Sequence, residues 1–334
     1  MKIPEEHIHR ATTSFSYPYT EREAIFLWLV TAFSGHFLSQ HWGRYVGIAR
    51  GWPQQTLVDK LTSNGHADAF AWNVSGIERH RYHVKHRRLY RIFDRENSNY
   101  RKDAENHLID VRLCALDYVI DHQDVDYLLT EADRISYFRQ HHGITDPDIL
   151  PQRRYAGRRQ NAPAAAVYFP DRCPLAVTDV GIVFTYIDHP TDSLKPLGTH
   201  VALYRRLFHS LKTAWTFVFV SGDARKSQDA ERVFRTALAR TDGIDPELLR
   251  HFTIEDRWQR KDVAGFTKDD YAEMGRLRAK YSAERYRAMY ERWREDSQGA
   301  AVGSHQSNAK SPSTTTANSN NFRTYTPPTW RGIA

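Results

Sequence analysis

The chain has 334 residues, of which 40% are hydrophobic and 13% aromatic, and 47 Lys and Arg against 40 Asp and Glu give it a net charge of +7. This length and composition allow about two globular domains, and the absence of any apolar run of about 18 residues argues against a membrane-spanning helix. The start of the chain lacks the apolar stretch of a secretory signal, and its two cysteines, Cys114 and Cys173, match neither a disulfide framework nor a metal-ligand spacing. We therefore expect a cytoplasmic protein with no membrane association, whose basic charge permits a nucleic-acid partner.

The first part of the chain predicts three helices after a flexible arm over residues 1–20. An apolar helix is predicted over Glu21–Phe33, and a turn with a second helix over Ser34–Gly47. A third helix is predicted over Gly51–Gly65, because Pro53 stands near its first turn and a glycine stands just past its end.

Two stretches of alternating character follow the three helices. The segment "HADAFAWNV" predicts a strand that leads into a turn, and "RHRYHVKHRRLYRIF" predicts its partner strand. The alternation slips near Arg87–Arg88, which we interpret as a β-bulge. Three helices followed by a hairpin is the order of a winged helix-turn-helix, so we predict a DNA-binding domain of this kind over residues 21–102.

The stretch from Gly76 to Lys102 carries most of the net charge of the chain. It contains nine Lys and Arg residues and three acidic ones, so it contributes +6 of the total of +7. In a winged helix the third helix lies in the major groove and the hairpin lies along the phosphates. The residues predicted to face the groove are Gln54, Gln55, Thr56 and Lys60, and those predicted to contact phosphates are Arg79, Arg81, Lys85, Arg87, Arg88 and Arg91.

Other interpretations of this basic stretch stay open. It is also compatible with a solvated hairpin that has no ligand, or with a hairpin that binds an acidic protein. Three histidines, His80, His83 and His86, follow one another at steps of three. On a strand such residues alternate between faces and cannot share a metal ion.

The middle of the chain is predicted to be helical and the second half to be an α/β domain. An amphipathic helix over Asp103–Asp124 and a capped helix over Thr130–Gly143 form a helical connector over residues 103–145. Strands and helices then alternate, which predicts an α/β domain over residues 146–296 that ends in a long charged helix. Residues 297–334 are rich in Ser, Thr, Asn and Gly and are predicted to be disordered.

Two aspartates in the second half stand where a metal-dependent nuclease places its ligands. Asp171 follows Pro170 after a predicted strand, and Asp188 closes the strand "GIVFTYID". Such a pair binds Mg²⁺ through hard oxygen ligands, and a Lys two residues after the second acid positions the attacking water. No Lys follows Asp188 at that spacing. Asp171 and Asp188 are therefore candidate catalytic and metal-binding residues only if the domain is a nuclease, and we expect no cofactor otherwise.

The segments "YFPD", "VGIVFTYIDHPTDSLKPLGTHVALYRRLF" and "TFVFVSGDARKSQDAERVFRTAL", preceded by a winged helix, resemble the replication-relaxation family of bacterial plasmids and other mobile elements. The resemblance covers residues 20–240 and implies a winged helix joined to a fold related to the PD-(D/E)xK nucleases. The positions that match the family pattern are Asp188, Thr191, Tyr204 and the pair Pro170–Asp171. The positions that depart from it are Tyr186 in place of Glu, His189 in place of Arg, Pro190 in place of Gly, and His200 near the place of a helix Lys.

The residue pattern and the resemblance lead to one functional hypothesis and two alternatives. We expect a DNA-binding protein of a bacterial plasmid or mobile element that acts in replication, maintenance or transfer, with duplex DNA and other replication or transfer proteins as partners. The departures remove a metal ligand, so the nuclease-like domain is expected to be an inactive scaffold for assembly. The first alternative is a Mg²⁺-dependent DNA endonuclease that uses Asp171 and Asp188. The second is a protein-interaction module without DNA binding.

Overall fold

The computed structural model of the chain is a mixed helix-and-sheet protein, which confirms the predicted α+β class. It describes residues 3–13, 19–48, 52–74, 77–155, 165–239, 246–261, 266, 268–284, 286–291, 294 and 321–328. The chain forms two compact units, one made of Met1–Leu238 and Ala317–Ala334 and the other of Ala239–Thr316. Within the described residues no helix is long and apolar enough to cross a membrane.

The N-terminal part of the first unit has helices and strands in the order predicted for a winged helix, and we call it the winged-helix part. Its elements are α1 (Glu5–Thr13), α2 (Glu21–Phe33), β1 (His36–Leu38), α3 (Ser39–Val46), α4 (Trp52–Ser63), β2 (Ala67–Val74) and β3 (Ile77–Val84). The three strands form an antiparallel sheet in the order β1-β3-β2. From α2 onward the order is helix, strand, helix, helix, strand, strand, and the β2–β3 hairpin is in the position of the wing.

Helix α2 is the centre of this part because it is apolar on nearly every side. Thr20 caps its first turn: the Glu23 N–H donates to Thr20 Oγ1 at 3.4 Å, and the Thr20 N–H donates to Glu23 Oε2 at 2.8 Å. Trp28 is fully buried on the helix, as an all-round apolar helix requires. The chain leaves the helix through Gly35, whose φ is +75° and whose backbone lies against the Tyr100 carbonyl.

The predicted partner strand is shorter than its alternation indicated. Strand β3 ends at Val84, and a short helix, α5 (Arg87–Ile92), begins where a bulge was expected. The expectation of a strand through residue 93 was therefore wrong. Leu89, Tyr90, Ile92 and Phe93 are all buried. Buried residues at i, i+1, i+3 and i+4 share one face of a helix, whereas on a strand neighbouring residues would face opposite sides.

The remainder of the first unit is built on a five-stranded sheet. Its elements are α6 (Asn106–Asp121), β4 (Asp126–Tyr127), α7 (Glu131–His142), β5 (Gln152–Tyr155), β6 (Ala165–Tyr168), β7 (Leu175–Thr178), β8 (Gly181–Asp188), α8 (Lys195–Ser210), β9 (Trp215–Ser221), α9 (Ser227–Ala239) and β10 (Phe322–Tyr325). The sheet order is β10-β9-β8-β7-β4. Strands β4, β7 and β8 are antiparallel neighbours, and β8, β9 and β10 are parallel. Strands β5 and β6 form a separate antiparallel pair.

Alternate residues of β8 face the two covered sides of this sheet. Ile187 belongs to the core that includes α6 and the winged-helix part, and Val183 packs against the same core. Phe184 faces the other side, where its ring centroid lies 4.9 Å from that of Phe208 on α8. One hydrophobic core thus runs from the winged helix through α6 to the sheet. The domain boundary predicted at residues 145–146 therefore lies inside the first unit.

The end of the chain contradicts part of the disorder predicted for residues 297–334. Residues 322–325 form β10, which pairs in parallel with residues 217–220 of β9. The Phe322 ring centroid lies 5.2 Å from that of Phe234. The Tyr325 hydroxyl donates to Asp121 Oδ2 on α6 at 2.6 Å. Backbone pairing with the edge of β9 and these side-chain contacts fix a segment whose neighbours in sequence are polar. Residues 295–320, which include most of the predicted tail, lie outside the described residues.

The second unit contains two long helices with a small core of their own. Helices α10 (Pro246–Gln259) and α11 (Lys268–Lys280) bury a group of side chains that includes Phe252 and Leu277. The prediction of one long helix to residue 296 was wrong, because the helix is interrupted at residues 281–283 before residues 286–291 become helical again.

Candidate functional site

Helix α4, the third helix of the winged-helix part, packs Leu57, Val58 and Leu61 into the core. Of the residues predicted to face a DNA groove, Gln55 is exposed and its Nε2 donates to Asp59 Oδ1 at 2.7 Å. Thr56 is half-buried, and the Gln54 side chain lies outside the described residues. The open face of α4 is therefore polar but carries little net charge.

Lys60 does not extend from α4 as the groove prediction requires. Its Nζ lies 2.9 Å from both carboxylate oxygens of Glu23 on α2, and Glu23 is buried. The positive charge of Lys60 therefore compensates a buried carboxylate inside the protein.

The residues predicted to contact phosphates lie in three different settings. Arg87 and Arg88 are exposed on α5 rather than on the hairpin, and neither forms an ion pair with another described residue. Three of the other side chains have partners within the protein. Lys85 forms an ion pair with Asp68, Arg91 forms one with Glu96, and Arg81 Nη1 donates to Asn106 Oδ1 at 2.8 Å. The Arg79 side chain lies outside the described residues. Among the predicted phosphate contacts with described side chains, Arg87 and Arg88 at the start of α5 are thus the exposed arginines that form no ion pair with a described residue.

The three histidines of the basic stretch are separated, as the strand interpretation requires. His80 is exposed on β3, whereas His83 is buried and stacks on His36 with ring centroids 4.1 Å apart. Burial lowers the pKa of His36 to about 3 and also lowers the pKa of His83. The His86 ring instead lies beside His66.

Asp171, the first predicted nuclease carboxylate, is bonded to two residues of α8. His200 Nδ1 lies 2.9 Å from its Oδ2, and the Tyr204 hydroxyl donates to its Oδ1 at 3.1 Å. Burial acts to raise the pKa of Asp171, but the charge and hydrogen bond of His200 outweigh it and lower this pKa below its usual value. The structure thus brings together two positions that match the family pattern, Asp171 and Tyr204, and one that departs from it, His200.

Asp188, the second predicted carboxylate, is held by Ser221, the last residue of β9, and by Lys226, which follows that strand. The Ser221 hydroxyl and Lys226 Nζ each donate to Asp188 Oδ2 at 2.9 Å. Only 1% of the Asp188 side chain is exposed. Burial raises its pKa, and the hydrogen bond and charge of Lys226 act in the opposite direction. Lys226 is 38 residues beyond Asp188 in the chain, so no local spacing could identify it as the partner.

A second group of ligand-type side chains stands beside Asp188 and was missed from the sequence. His107 and Asp110 project from the first turns of α6, and His189 and Asp192 from the loop after β8. His107 Nε2 lies 3.0 Å from both carboxylate oxygens of Asp192, and His189 Nε2 lies 3.4 Å from Asp110 Oδ2. We call these four residues the His–Asp cluster. The only sequence signal was the repeated spacing, since an Asp follows each His three residues later, at His107–Asp110 and at His189–Asp192.

Ligand atoms also converge at Glu6, His7 and Asp94 near the N-terminus. Here Arg10 Nη1 and Nη2 donate to the two oxygens of Asp94 at 3.2 and 3.0 Å, and His7 Nε2 lies 2.8 Å from Oδ2. The pKa of Asp94 falls to about 2, first through the Arg10 hydrogen bond and then through that of His7. This group is an ion-pair network in which a guanidinium already takes the place of a cation.

No family model, curated protein or solved structure matches this chain. The resemblance to the replication-relaxation family therefore stays a prediction from its short motifs. The function has to be argued from the topology, the exposed charges and the two groups of carboxylates.

Proposed function

We propose that the chain binds double-stranded DNA through its winged-helix part. The observation that carries the proposal is the order of the elements from α2 to β3 together with the strand order β1-β3-β2. In proteins with this arrangement the third helix enters the major groove and the neighbouring basic groups contact the backbone. In this chain α4 would enter the groove, and Gln55 is the exposed residue on it that suits a base edge.

The exposed charge next to the hairpin supports this proposal. Arg87 and Arg88 are exposed at the N-terminal end of α5, directly after β3. On the hairpin itself Phe70 has 41% of its surface exposed, and the Arg81 guanidinium lies 5.8 Å from its ring centroid. Exposed guanidinium groups and an exposed aromatic side chain suit a sugar–phosphate backbone.

The sheet that carries Asp171 and Asp188 would serve as a scaffold for assembly rather than as a nuclease. Mg²⁺ needs several well-placed oxygens and keeps some of its waters. Asp171 is instead bonded to His200 and Tyr204, and Asp188 to Lys226. A protein side chain therefore bonds each carboxylate where the metal would stand.

The biological setting follows from the resemblance. The proposed protein acts in the cytoplasm of a bacterium, in the replication, maintenance or transfer of a plasmid or other mobile element. Other replication or transfer proteins would dock on the α/β part.

The test is binding of the full chain to a labelled duplex by fluorescence anisotropy across a salt series. Wild type is compared with Arg87→Ala/Arg88→Ala and with a control, Arg232→Ala/Arg235→Ala, which removes two exposed arginines that pair with acids on α9. The expected result is a steep loss of affinity with salt for wild type, and a slope reduced by about 1.8 in the first variant, about 0.9 for each lost phosphate contact. The control should keep the wild-type slope. No binding at low salt, or equal slopes in all three proteins, would refute the proposal.

The same samples distinguish the alternatives. Mg²⁺ is added and the products are separated on a gel, because cleavage that disappears in Asp171→Ala would favour the endonuclease. Binding that does not change with duplex length would favour a protein-interaction module. Uncut DNA with unchanged binding in EDTA is the result expected of an inactive scaffold.

A further inference from the structure

We propose that the His–Asp cluster is a binding site for one divalent metal ion of the zinc type. Its four members come from two elements of the first unit, the start of α6 and the loop between β8 and α8. The proposal does not depend on DNA binding, and it differs from the Mg²⁺ pair considered for a nuclease because neither Asp171 nor Asp188 is a ligand in it.

The spacing of the ligand atoms fits a tetrahedral ion. Zinc holds imidazole nitrogen and carboxylate oxygen at about 2.0–2.1 Å, so neighbouring ligand atoms of a tetrahedron lie about 3.3 Å apart. The His107–Asp192 separation is 3.0 Å and the His189–Asp110 separation is 3.4 Å. The ligand atoms of His107, His189 and Asp192 all lie within 4.8 Å of one another. Asp110 Oδ2, 3.4 Å from His189 Nε2, would be the fourth ligand.

The donor set selects the kind of metal. Two imidazoles and two carboxylates suit Zn²⁺ and its neighbours in the first transition row, whereas Mg²⁺ and Ca²⁺ prefer a shell of oxygens alone. The site should therefore bind Zn²⁺ or Co²⁺ well and Mg²⁺ weakly.

The loop that presents two of the ligands is itself held in place. Lys226 Nζ donates to the backbone carbonyls of His189 at 3.0 Å and Asp192 at 2.6 Å, in addition to Asp188. The Asp192 N–H donates back to the His189 carbonyl at 3.0 Å. Both ligand-bearing residues thus have a fixed backbone before any metal arrives, which lowers the cost of ordering the site.

The ring of His189 is oriented by its neighbour in the loop. Its Nδ1 lies 2.9 Å from the Thr191 hydroxyl oxygen and accepts from the Thr191 backbone N–H at 3.3 Å. These contacts orient the ring so that Nε2 faces Asp110 Oδ2 at 3.4 Å. Metal-binding histidines usually have their second nitrogen fixed in this way.

The charge balance also favours a divalent cation. Asp110, Asp188 and Asp192 bring three negative charges, and Lys226 offsets one of them, so two negative charges remain. The Glu6–His7–Asp94 group differs here, because Arg10 already donates to both oxygens of Asp94. A metal ion at the Glu6–His7–Asp94 group would have to displace the Arg10 guanidinium from the Asp94 carboxylate.

The cluster is open on one side. The His107 side chain is 52% exposed and that of Asp192 is 34% exposed, whereas those of His189 and Asp110 are 11% and 18% exposed. A metal ion can therefore enter from solvent on the His107 side.

The test is titration of the full chain with Zn²⁺ after removal of metal by a chelator, followed by calorimetry and thermal unfolding. Co²⁺ is used in parallel, because its visible absorption reports tetrahedral coordination. We compare wild type with His107→Ala/His189→Ala and with Asp192→Asn. The control is His80→Ala/His141→Ala, which removes two exposed histidines outside the cluster. Circular dichroism and thermal unfolding of the metal-free proteins confirm that each variant is folded.

The expected result is one Zn²⁺ per wild-type chain, with a rise in the melting temperature and a tetrahedral Co²⁺ spectrum. Loss of an outer partner of a metal site typically costs about 10–100-fold in affinity, so loss of two direct ligands should cost more than about 100-fold. The control should bind as wild type does. Absence of Zn²⁺ binding by wild type would show that the cluster forms hydrogen-bonded pairs only. Equal affinity in wild type and in His107→Ala/His189→Ala would place any bound metal elsewhere. Either result overturns the proposal.

Discussion

Replacing Lys226 by Met should destabilise the first unit by about 3–5 kcal/mol at neutral pH, the typical cost of removing one partner of a buried ion pair. The variant leaves the Asp188 carboxylate, only 1% exposed, without its cation. It also removes the donor that bonds the His189 and Asp192 carbonyls. Each of these hydrogen bonds has a charged donor and contributes about 1.5–3 kcal/mol. Because the Lys226 side chain is only 15% exposed, water replaces its bonds poorly.

The loss should depend on pH in a direction that the structure fixes. Burial raises the pKa of Asp188 even with Lys226 present, and the variant removes the hydrogen bond and the charge that lower it. A carboxyl whose folded-state pKa lies above its unfolded value contributes stability in acid, and this stability is lost as pH rises through the folded pKa. The difference in unfolding free energy between wild type and Lys226→Met should therefore be largest at neutral pH. It should narrow as pH falls toward the ordinary Asp pKa of about 3.9.

The assay is urea unfolding of metal-free protein at several pH values, with hydrogen exchange of β8 and β9 as a local readout. Arg232→Met is the matched control, because Arg232 is also a cation near the start of α9 but its pair with Asp229 is exposed. It should change the unfolding free energy little. In an Asp188→Asn background most of the loss caused by Lys226→Met should disappear. A loss that is independent of pH, or as large in the Asn background, would refute the role given to this pair.

Two further substitutions test packing elsewhere in the first unit. Gly35→Ala and Gly47→Ala both place a side chain at positive φ, +75° and +78°, but only at Gly35 would the new Cβ meet an atom, the Tyr100 carbonyl oxygen at 2.1 Å. Thermal unfolding should show Gly35→Ala to be less stable than Gly47→Ala by about 1–3 kcal/mol, and equal effects would contradict the close approach. Tyr325→Phe removes a hydroxyl that donates to a carboxylate of α6 at 2.6 Å. It should cost about 1 kcal/mol and speed hydrogen exchange of β10, and unchanged exchange would show that this bond does not hold the strand.

The parts of the fold that the sequence predicted well are those fixed by local signals. Gly65 follows α4 and has a positive φ of 64°, as expected of a glycine just past a helix. The helix predicted to be capped at Thr130 is α7, whose Asp133 N–H donates to Thr130 Oγ1 at 3.0 Å. In each case the signal and the structure lie within a few residues of each other, so periodicity and turn chemistry are sufficient.

The predictions that failed depend on contacts between distant segments. Strand β10 exists because Phe322 and its neighbours pair with the edge of β9, about a hundred residues earlier in the chain, and nothing around Phe322 specifies that partner. The pairing of Lys226 with Asp188 and the approach of His107 to Asp192 are likewise products of the sheet order. The strand expected across Arg87 failed for a different reason. A short amphipathic helix and a strand with one bulge give similar patterns over six residues.

Helix α6 explains why the predicted boundary near residue 145 does not divide the first unit. Asp117 on this helix is buried and bonds His41 and Arg44 of α3 in the winged-helix part. One turn later Asp121 bonds Arg44 and also accepts the hydroxyl of Tyr325 from β10. Helix α6 therefore bonds polar groups of α3 on one side and of β10 on the other. A fragment that ends just after α6 would lack the five-stranded sheet that covers its second face. Because a buried carboxylate without its partners is costly, DNA binding and metal binding both have to be measured on the full chain, where α6 keeps all its contacts.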